Sequence, residues 1–315
     1  MDKDTRIFVA GHRGMVGSAV VRALAEKDYR NVVTRSRSQL DLIDQTAVEA
    51  FFRDNEIDVV VLAAAKVGGI LANNTYPADF LYLNLMIEAN VIQAAYRAGV
   101  QRLVFLGSSC IYPRDCPQPI REEYLLTGPL EKTNEPYAIA KIAGIKLCEA
   151  FNRQYGTRYV SLMPTNLYGP KDNYDLNTSH VLPALISKAH QTKHNSEETL
   201  LVWGSGNPRR EFLHVDDLAD AVVFVLESGI QDGLFNVGSG TDVSIRELAE
   251  LILDIVESDA KLVFDKTKPD GTPRKLMDVS RLAEMGWRST ITLDAGIRST
   301  YRDYLANIPT HEDQI

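Results

Sequence analysis

The sequence predicts an α/β fold, a doubly wound parallel sheet with helices on both faces, together with a smaller C-terminal lobe. Short β-branched runs alternate with helical patterns in the first half of the chain, and those runs contain few polar residues. Beyond Pro164 the pattern changes, and turn residues crowd the stretch from Tyr168 to Ser179. Parallel strands buried on both faces have this apolar character. Right-handed crossovers then distribute the helices over the two faces of the sheet.

The first half contains the elements that define the sheet. Strands are predicted at Arg6–Ala10, Asn31–Arg35, Asp58–Ala63, Arg102–Leu106 and Arg158–Met163, and helices at Met15–Lys27, Asp79–Ala98 and Ala138–Tyr155. The strands are short apolar runs, and the helix patterns repeat their apolar residues at helical spacing. Gly99 is a suitable residue to end the second of these helices.

The second half is predicted to carry fewer regular elements. Helical patterns recur at Val215–Ser228 and Ser244–Ser258, a short strand lies between them at 235–237, and the polar stretch Gln191–Thr199 predicts an exposed loop. We therefore assign residues 1–170 to one domain, with segments near 211–240 returning to its sheet. Residues 171–315 are assigned mainly to the smaller lobe.

Composition narrows the class of protein. The chain has 315 residues, 45% of them hydrophobic, and a formal net charge of -8, which argues against non-specific binding to nucleic acid. Three cysteines, Cys110, Cys116 and Cys148, are too few for a disulfide framework and lack paired metal-ligand spacing, so we expect a reduced, cytoplasmic protein without a metal. We expect no signal peptide, because the start of the sequence has no basic flank with a long apolar core. We expect no membrane helix, because no apolar run reaches about 18 residues.

A glycine-rich loop follows the first strand and opens the first helix. It comprises Gly11, His12, Arg13, Gly14, Met15, Val16 and Gly17. Glycines at this position allow the backbone to approach a pyrophosphate, and the helix N-terminus favours the anion. The loop therefore predicts a dinucleotide site, although a tight turn without a ligand would leave the same pattern.

The residues after the second strand indicate which dinucleotide binds. A site for NAD would carry an acid there for the ribose hydroxyl. This chain has Arg35 and Arg37 instead, with no acid until Asp41, and Arg13 lies in the glycine loop nearby. Guanidinium groups suit a 2′-phosphate, so the sequence predicts NADP(H). The alternative is that these arginines are solvated surface charges.

Three polar residues predict carbonyl chemistry. Tyr137 and Lys141 are four residues apart in a helix pattern and share a face, and Ser108 follows the fourth strand. A tyrosine hydroxyl can give a proton to a developing alkoxide while a serine hydrogen-bonds the same oxygen. We expect the lysine to lower the pKa of the tyrosine, since a charge about 4 Å away contributes roughly 4 kcal/mol at an effective dielectric of about 20. A chance surface pair is the alternative.

The chain resembles the extended short-chain dehydrogenase/reductase family along almost its whole length. The stretches that carry the resemblance are Gly11–Gly17, Ala63–Tyr76, Gly107–Pro113, Asn134–Lys146, Pro164–Pro170, Ser179–Pro183, Trp203–Gly206, Arg210–Asp217 and Lys268–Lys275. Several of them are long and specific to the subfamily of NADPH-dependent 3,5-epimerase/4-reductases that act on GDP-4-keto-6-deoxy-D-mannose. The resemblance implies a Rossmann domain, NADPH as cofactor and that nucleotide sugar as substrate.

The resemblance also implies roles for individual residues. Cys110 and His180 would exchange protons at the carbons beside the ketone, while Ser108, Tyr137 and Lys141 would serve the ketone oxygen. Without the resemblance, Cys110 could be a small buried residue and His180 a loop histidine. The implied cofactor contacts beyond the glycine loop are Arg37, Asp41 and Leu42 around the adenosine, then Leu106, Gly107, Ser108, Ser109, Lys141, Pro164, Thr165, Asn166, Leu167 and His180.

The implied substrate contacts lie in the second half of the chain. They are Lys188, Trp203, Arg210 and Asp270. Lys188 stands where the subfamily often has arginine, which keeps the charge but loses the bidentate fork.

The resemblance further implies a homodimer joined by a four-helix bundle. The two long helix patterns carry apolar residues on more than one face, and a second apolar face needs a partner. These residues include Leu81, Leu85, Ile92, Ile142, Ile145 and Leu147.

Two alternatives to a reductase remain at this point. One is a sibling enzyme, an NAD-dependent 4-epimerase or a 4,6-dehydratase; the dehydratase would carry an acidic pair beside Ser108, and the epimerase an acid after the second strand. The other is a regulator that binds the cofactor without catalysis, which would typically lose Tyr137 or Lys141. The sequence has no acidic pair beside Ser108 and no acid directly after the second strand, and it keeps both Tyr137 and Lys141.

Overall fold

The computed structural model describes residues 1–176, 178–268 and 270–307. Its strands are β1 (Arg6–Ala10), β2 (Asn31–Val33), β3 (Val59–Leu62), β4 (Arg102–Leu106), β5 (Arg158–Pro164), β6 (Asn166–Tyr168), β7 (Thr199–Trp203), β8 (Arg209–His214), β9 (Gly233–Val237), β10 (Asp242–Ser244), β11 (Lys261–Asp265) and β12 (Arg274–Lys275). Its helices are α1 (Met15–Glu26), α2 (Gln45–Asp54), α3 (Ile70–Thr75), α4 (Pro77–Arg97), α5 (Glu135–Tyr155), α6 (Val181–His194), α7 (Val215–Glu227), α8 (Ile245–Val256), α9 (Ser280–Glu284) and α10 (Leu293–Asn307).

A six-stranded parallel sheet forms the larger part of the molecule, with strand order β2-β1-β3-β4-β5-β9. Successive residues of a strand point to opposite faces, so each strand contributes to two cores. Phe105 of β4 packs in the core under α2, α4 and α5, whereas Val104 and Leu106 pack in the core under α1 and α7. The predicted doubly wound fold is confirmed.

The smaller lobe has two sheets and its own core. β8 pairs with β10, β12 and β6, and β7 pairs with β11. Helices α6, α8 and α10 cover a third hydrophobic cluster. The segment near 211–240 is divided between the lobes: β9 is the outer strand of the large sheet and α7 packs on α1, but β8 belongs to the small sheet. Residues 308–315 of the predicted lobe lie outside the described residues.

Several predicted boundaries were wrong. The stretch Gln191–Thr199 is not one loop, because α6 continues to His194 and β7 starts at Thr199. Helix α2 was not predicted; it begins after Asp44, whose side chain accepts a hydrogen bond from the amide of Ala47. Helix α5 begins at Glu135, three residues earlier than predicted, which places Tyr137 in its first turn. Within the described ranges, no helix is long and apolar enough to cross a membrane.

Candidate active site

The glycine-rich loop connects β1 to the N-terminus of α1. Gly11 has a φ of +88°, and a Cβ there would come within 2.7 Å of the Ala64 amide nitrogen. A Cβ at Gly17 would overlap the carbonyl group of Gly11. Backbone atoms therefore fill the space beside both glycines. The loop leads directly into the N-terminus of α1, where the first backbone amides can bind an anion. This is the shape that a pyrophosphate requires.

The arginines near this loop have different surroundings. Arg35 lies 5.3 Å from the centre of the Phe51 ring and donates to the Thr34 carbonyl, so it is engaged within the protein. Arg37 is 79% exposed and lies 3.9 Å from Asp41, and Arg13 is also exposed. Beside them, burial and then Arg13 lower the pKa of His12. Arg13 and Arg37 are thus the two guanidinium groups that can meet a phosphate here.

The predicted carbonyl group of residues assembles at the end of β4. Ser108 follows this strand, and its hydroxyl accepts from the Cys110 amide at 3.4 Å. On α5, the Tyr137 ring lies edge-on to Phe80 with centroids 6.2 Å apart. Lys141 is one turn further along, with Nζ 5.8 Å from the centre of the Tyr137 ring and donating to the Leu106 carbonyl at 3.0 Å. A half-buried tyrosine and a buried lysine therefore share one wall of the site.

The expected effect of Lys141 on Tyr137 is wrong for this structure. Burial raises the pKa of Tyr137 well above its ordinary value, and the nearby Cys110 and Glu88 raise it further. Glu88, which the sequence analysis did not consider, lies with Oε1 3.0 Å from Lys141 Nζ. Its negative charge offsets the positive charge of the lysine, so desolvation dominates at the tyrosine.

Cys110 and His180 are linked through Lys275, whose charge acts on both of them. Cys110 is 8% exposed in a short 3₁₀ turn, and burial raises the pKa of its thiol. His180 immediately precedes α6. The side chain of His180 is exposed, but desolvation by the surrounding protein and then the charge of Lys275 lower the pKa of its imidazole.

Lys275 is a functional candidate that sequence reasoning missed as an individual residue. It lies on β12 opposite Arg210 of β8, and its charge opposes the raised pKa of Cys110 while contributing to the lowered pKa of His180. The only sequence signal for it was its place at the end of the stretch Lys268–Lys275, in which Pro269 lies outside the described residues.

The predicted substrate contacts gather on the smaller lobe. Trp203, at the end of β7, is 60% exposed, and the ammonium groups of Lys188 and Lys268 lie 5.6 and 5.3 Å from its ring centre. Asp270 accepts hydrogen bonds from the amide and hydroxyl of Ser205, which fixes the turn after Trp203. Asp270 also acts electrostatically on Arg210. An exposed ring flanked by cations can stack on a base and attract a diphosphate.

The remaining predicted cofactor residues lie around the carboxyl ends of β1, β2, β4 and β5. Thr165 separates β5 from β6, and the side chains of Thr165 and Asn166 both donate to the Glu211 carbonyl. The others are Met15, Val16, Leu42, Leu106, Gly107, Ser109, Pro164 and Leu167. No group of three or more metal-ligating side chains occurs among the residues that the structure describes.

The parallel sheet, the glycine loop and the Ser108–Tyr137–Lys141 group define a dinucleotide-dependent oxidoreductase. The chain belongs to the NAD dependent epimerase/dehydratase family, whose model matches residues 7–238. It is 58% identical to GDP-L-fucose synthase 1 of Arabidopsis thaliana, over 98% of this chain and 95% of that protein. It is 55% identical to GDP-L-fucose synthase of Escherichia coli (strain K12), over 96% and 97%.

A solved relative supplies the matching fold. The structure of a GDP-L-fucose synthetase from Naegleria fowleri bound to NADP superposes with a TM-score of 0.88 at 26% identity. The match covers 98% of this chain and 96% of that one.

Proposed function

We propose that this chain converts GDP-4-keto-6-deoxy-D-mannose to GDP-L-fucose by 3,5-epimerisation followed by NADPH-dependent reduction of the 4-ketone. The observation that carries the proposal is the convergence of two chemistries on one site. Half-buried Tyr137 and buried Lys141 can serve a ketone oxygen. Cys110 acts electrostatically on Tyr137, and Lys275 acts on both Cys110 and His180. The near full-length likeness to GDP-L-fucose synthases supports the same reaction.

The residues present fit NADPH. The backbone around Gly11 and Gly17 leaves no room for side chains at these positions, and exposed Arg13 and Arg37 can meet the 2′-phosphate. We propose that residues 1–170, together with segments near 211–240, hold this cofactor and that the smaller lobe holds the GDP-sugar. NADPH supplies a hydride to the ketone carbon when bound.

For the reduction, Tyr137 supplies the proton that the ketone oxygen needs as it becomes a hydroxyl. Its raised pKa keeps the phenol protonated near neutral pH. The Ser108 hydroxyl can donate a second hydrogen bond to the same oxygen. Lys141, one helical turn after Tyr137, donates a hydrogen bond to the Leu106 carbonyl, which fixes the position of its ammonium group. Donors fixed in advance where negative charge develops are a large source of rate enhancement.

For the epimerisation, a proton leaves a carbon beside the ketone and another returns to the opposite face. The Ser108 hydroxyl can hydrogen-bond the oxygen of the enolate formed between the two steps. Cys110 and His180 are the exchanging groups in our proposal. Lys275 opposes the rise in the pKa of the Cys110 thiol and so favours the thiolate, which is the form that removes a proton from carbon. The pKa of His180 is lowered by desolvation and by Lys275, which favours its neutral imidazole.

The reaction is tested with purified protein, GDP-4-keto-6-deoxy-D-mannose and either NADPH or NADH. We expect NADPH to be consumed much faster than NADH, and NMR of the product to show inversion at carbons 3 and 5 with a reduced carbon 4. A product that keeps the manno configuration at both carbons, or absence of any NADPH consumption, would overturn the proposed function.

We also propose that the protein is a homodimer joined through α4 and α5. Three of the residues predicted for that interface, Ile92, Ile142 and Ile145, are instead buried in the core of the chain itself. Leu81, Leu85 and Leu147 remain half-buried, and the same two helices expose Tyr82 and Ile139. These five side chains are the apolar surface that a second copy would cover.

Sedimentation equilibrium at micromolar concentration should give twice the chain mass. A variant in which both Tyr82 and Ile139 are replaced by glutamate should shift toward the single-chain mass, because each substitution would place a charge in the proposed dimer interface. A wild-type protein that sediments as a single chain would contradict the dimer.

We place this activity in the cytoplasm. Cys110, Cys116 and Cys148 are all free thiols. Free thiols persist in a reducing compartment.

A further inference from the structure

The buried pair formed by Glu88 of α4 and Lys141 of α5 is a feature that the reaction scheme above does not explain. Glu88 is 1% exposed and Lys141 2% exposed, and their charged atoms are 3.0 Å apart. Removing two charges from water is costly, and replacing such a pair with apolar residues is often neutral or stabilising. A packing role alone therefore gives little reason for a carboxylate at this position.

The surroundings of the carboxylate show that Lys141 is its main polar neighbour. Lys141 Nζ lies 3.0 Å from Glu88 Oε1, and Lys141 opposes the rise in the pKa of Glu88 both as a charge and as a hydrogen-bond donor. Gly144 lies one turn after Lys141, and a Cβ there would come within 2.6 Å of Glu88 Oε2. The glycine thus leaves the space that the carboxylate occupies.

The other titratable groups around the pair come from three elements. Tyr137 and Cys148 lie on α5 with Lys141, and the electrostatic effect of Glu88 raises the pKa of both. Cys110 follows β4 and feels the charges of Lys141 and Lys275. Glu88 is the one carboxylate that acts on Tyr137 in the described part of the chain.

A reductase needs the opposite tyrosine state from an enzyme that removes a proton from an alcohol. If the charge of Lys141 were unopposed 5.8 Å from the Tyr137 ring, it would favour the tyrosinate. A tyrosinate has no proton to give to a ketone oxygen. With a carboxylate 3.0 Å from the ammonium, the combined charge near Tyr137 is close to zero.

We propose that Glu88 is a positioning residue for ketone reduction, which holds the Lys141 ammonium and balances its charge so that Tyr137 keeps the proton it donates. The inference rests on the proposed function for the identity of the proton acceptor. It extends the proposed function by assigning a role to the buried carboxylate of Glu88, which is to keep Tyr137 in the protonated form that can donate to the ketone oxygen.

The test is the pH profile of NADPH oxidation with GDP-4-keto-6-deoxy-D-mannose in wild type, Glu88→Gln and Glu88→Asp. Glutamine keeps the shape and removes the charge, so the alkaline limb should move to lower pH by about 1–3 units, the range that one nearby opposite charge produces. Glu88→Asp keeps the negative charge, so the alkaline limb of its pH profile should stay near that of the wild type. An alkaline limb that does not move in Glu88→Gln would overturn the proposal.

A matched control separates this effect from simple loss of a buried contact. Glu122 is also a buried glutamate, but it accepts from the Asn236 amide at 2.9 Å and pairs with Arg281 rather than with Lys141. Glu122→Gln should lower stability without moving the alkaline limb. If it moved the limb as much as Glu88→Gln does, the assignment to Glu88 would be wrong.

Two further measurements keep the proposal testable if Glu88→Gln folds poorly or the substrate is not turned over. Gly144→Ala should displace the carboxylate and move the limb in the same direction by a smaller amount. Ultraviolet difference titration, with Tyr137→Phe as the reference, should show Tyr137 ionising at lower pH when Glu88 is glutamine. The titration needs no substrate, so an inactive wild type would refute the proposed function while an unshifted titration would refute the role of Glu88.

Discussion

Tyr137→Phe is expected to stop NADPH oxidation almost completely while leaving proton exchange at the sugar carbons in place. The variant removes one oxygen and keeps the ring that packs edge-on to Phe80. Loss of an acid catalyst typically costs about 10²–10⁴ in rate. The measurements are NADPH absorbance for reduction and NMR-detected uptake of solvent deuterium for exchange, both with GDP-4-keto-6-deoxy-D-mannose.

Cys110→Ser is the complementary variant. It removes the thiol that exchanges carbon protons but leaves Tyr137 and the glycine loop unchanged, so deuterium uptake should nearly disappear while slow reduction of the unepimerised ketone persists. Both variants should still bind NADPH, because neither residue lies in the phosphate cradle. If Tyr137→Phe lost exchange as fully as reduction while Cys110→Ser exchanged normally, this division of labour would be wrong.

Lys141→Met is expected to lower the free energy of unfolding by about 3–5 kcal/mol, the cost of removing one partner of a buried ion pair. The variant leaves the Glu88 carboxyl buried, where desolvation already raises its pKa and Lys141 opposes that rise. A carboxyl whose pKa is raised on folding stabilises the folded state below its ordinary pKa. That contribution is lost as the pH rises through the raised value. The destabilisation should therefore be larger near about pH 8 than near about pH 5.

Urea unfolding at fixed protein concentration measures this effect. Adding Glu88→Leu to Lys141→Met removes the stranded carboxyl and should recover most of the lost stability. Lys146→Met is the matched control, since Lys146 is on the same helix but forms a half-exposed pair with Glu149, worth about 0–1 kcal/mol. Additive effects of the two substitutions at 88 and 141 would show that the pair is not energetically coupled.

The large sheet could be predicted because its strands are buried on both faces. The strand β3, Val59–Leu62, has every residue buried, and such a run is recognisable without any knowledge of its neighbours. The smaller lobe was harder, since β8 and β12 are adjacent only through contacts between distant parts of the chain. Helix α2 was missed although Asp44 caps it, because only Val48, Phe51 and Phe52 of its ten residues are buried.

The candidate site was predictable where its residues fall in contiguous stretches. The glycine loop, Ser108 and the pair Tyr137 and Lys141 have spacing that carries chemical meaning. Glu88 and Lys275 have no such signal: one lies in the middle of α4 and the other on a two-residue strand. Their effects depend on distances across helices and lobes, and sequence spacing does not encode these. The lowered tyrosine pKa was predicted wrongly for the same reason, since the charge that offsets Lys141 comes from another helix.

The crossing at Thr165, one of several between the large sheet and the smaller lobe, has a mechanical consequence. Strand β5 belongs to the large sheet and β6 to the small one, with only Thr165 between them, and the Thr165 hydroxyl is fixed to the Glu211 carbonyl of β8. A rotation of the backbone at Thr165 would move the two lobes relative to each other, because Trp203 and Arg210 lie on the smaller lobe and Tyr137 on the larger one. A small change of backbone angle at Thr165 would alter the distance from Tyr137 to Trp203 and Arg210. The stiffness of the backbone at Thr165 therefore helps to set how accurately a long ligand is held at both ends.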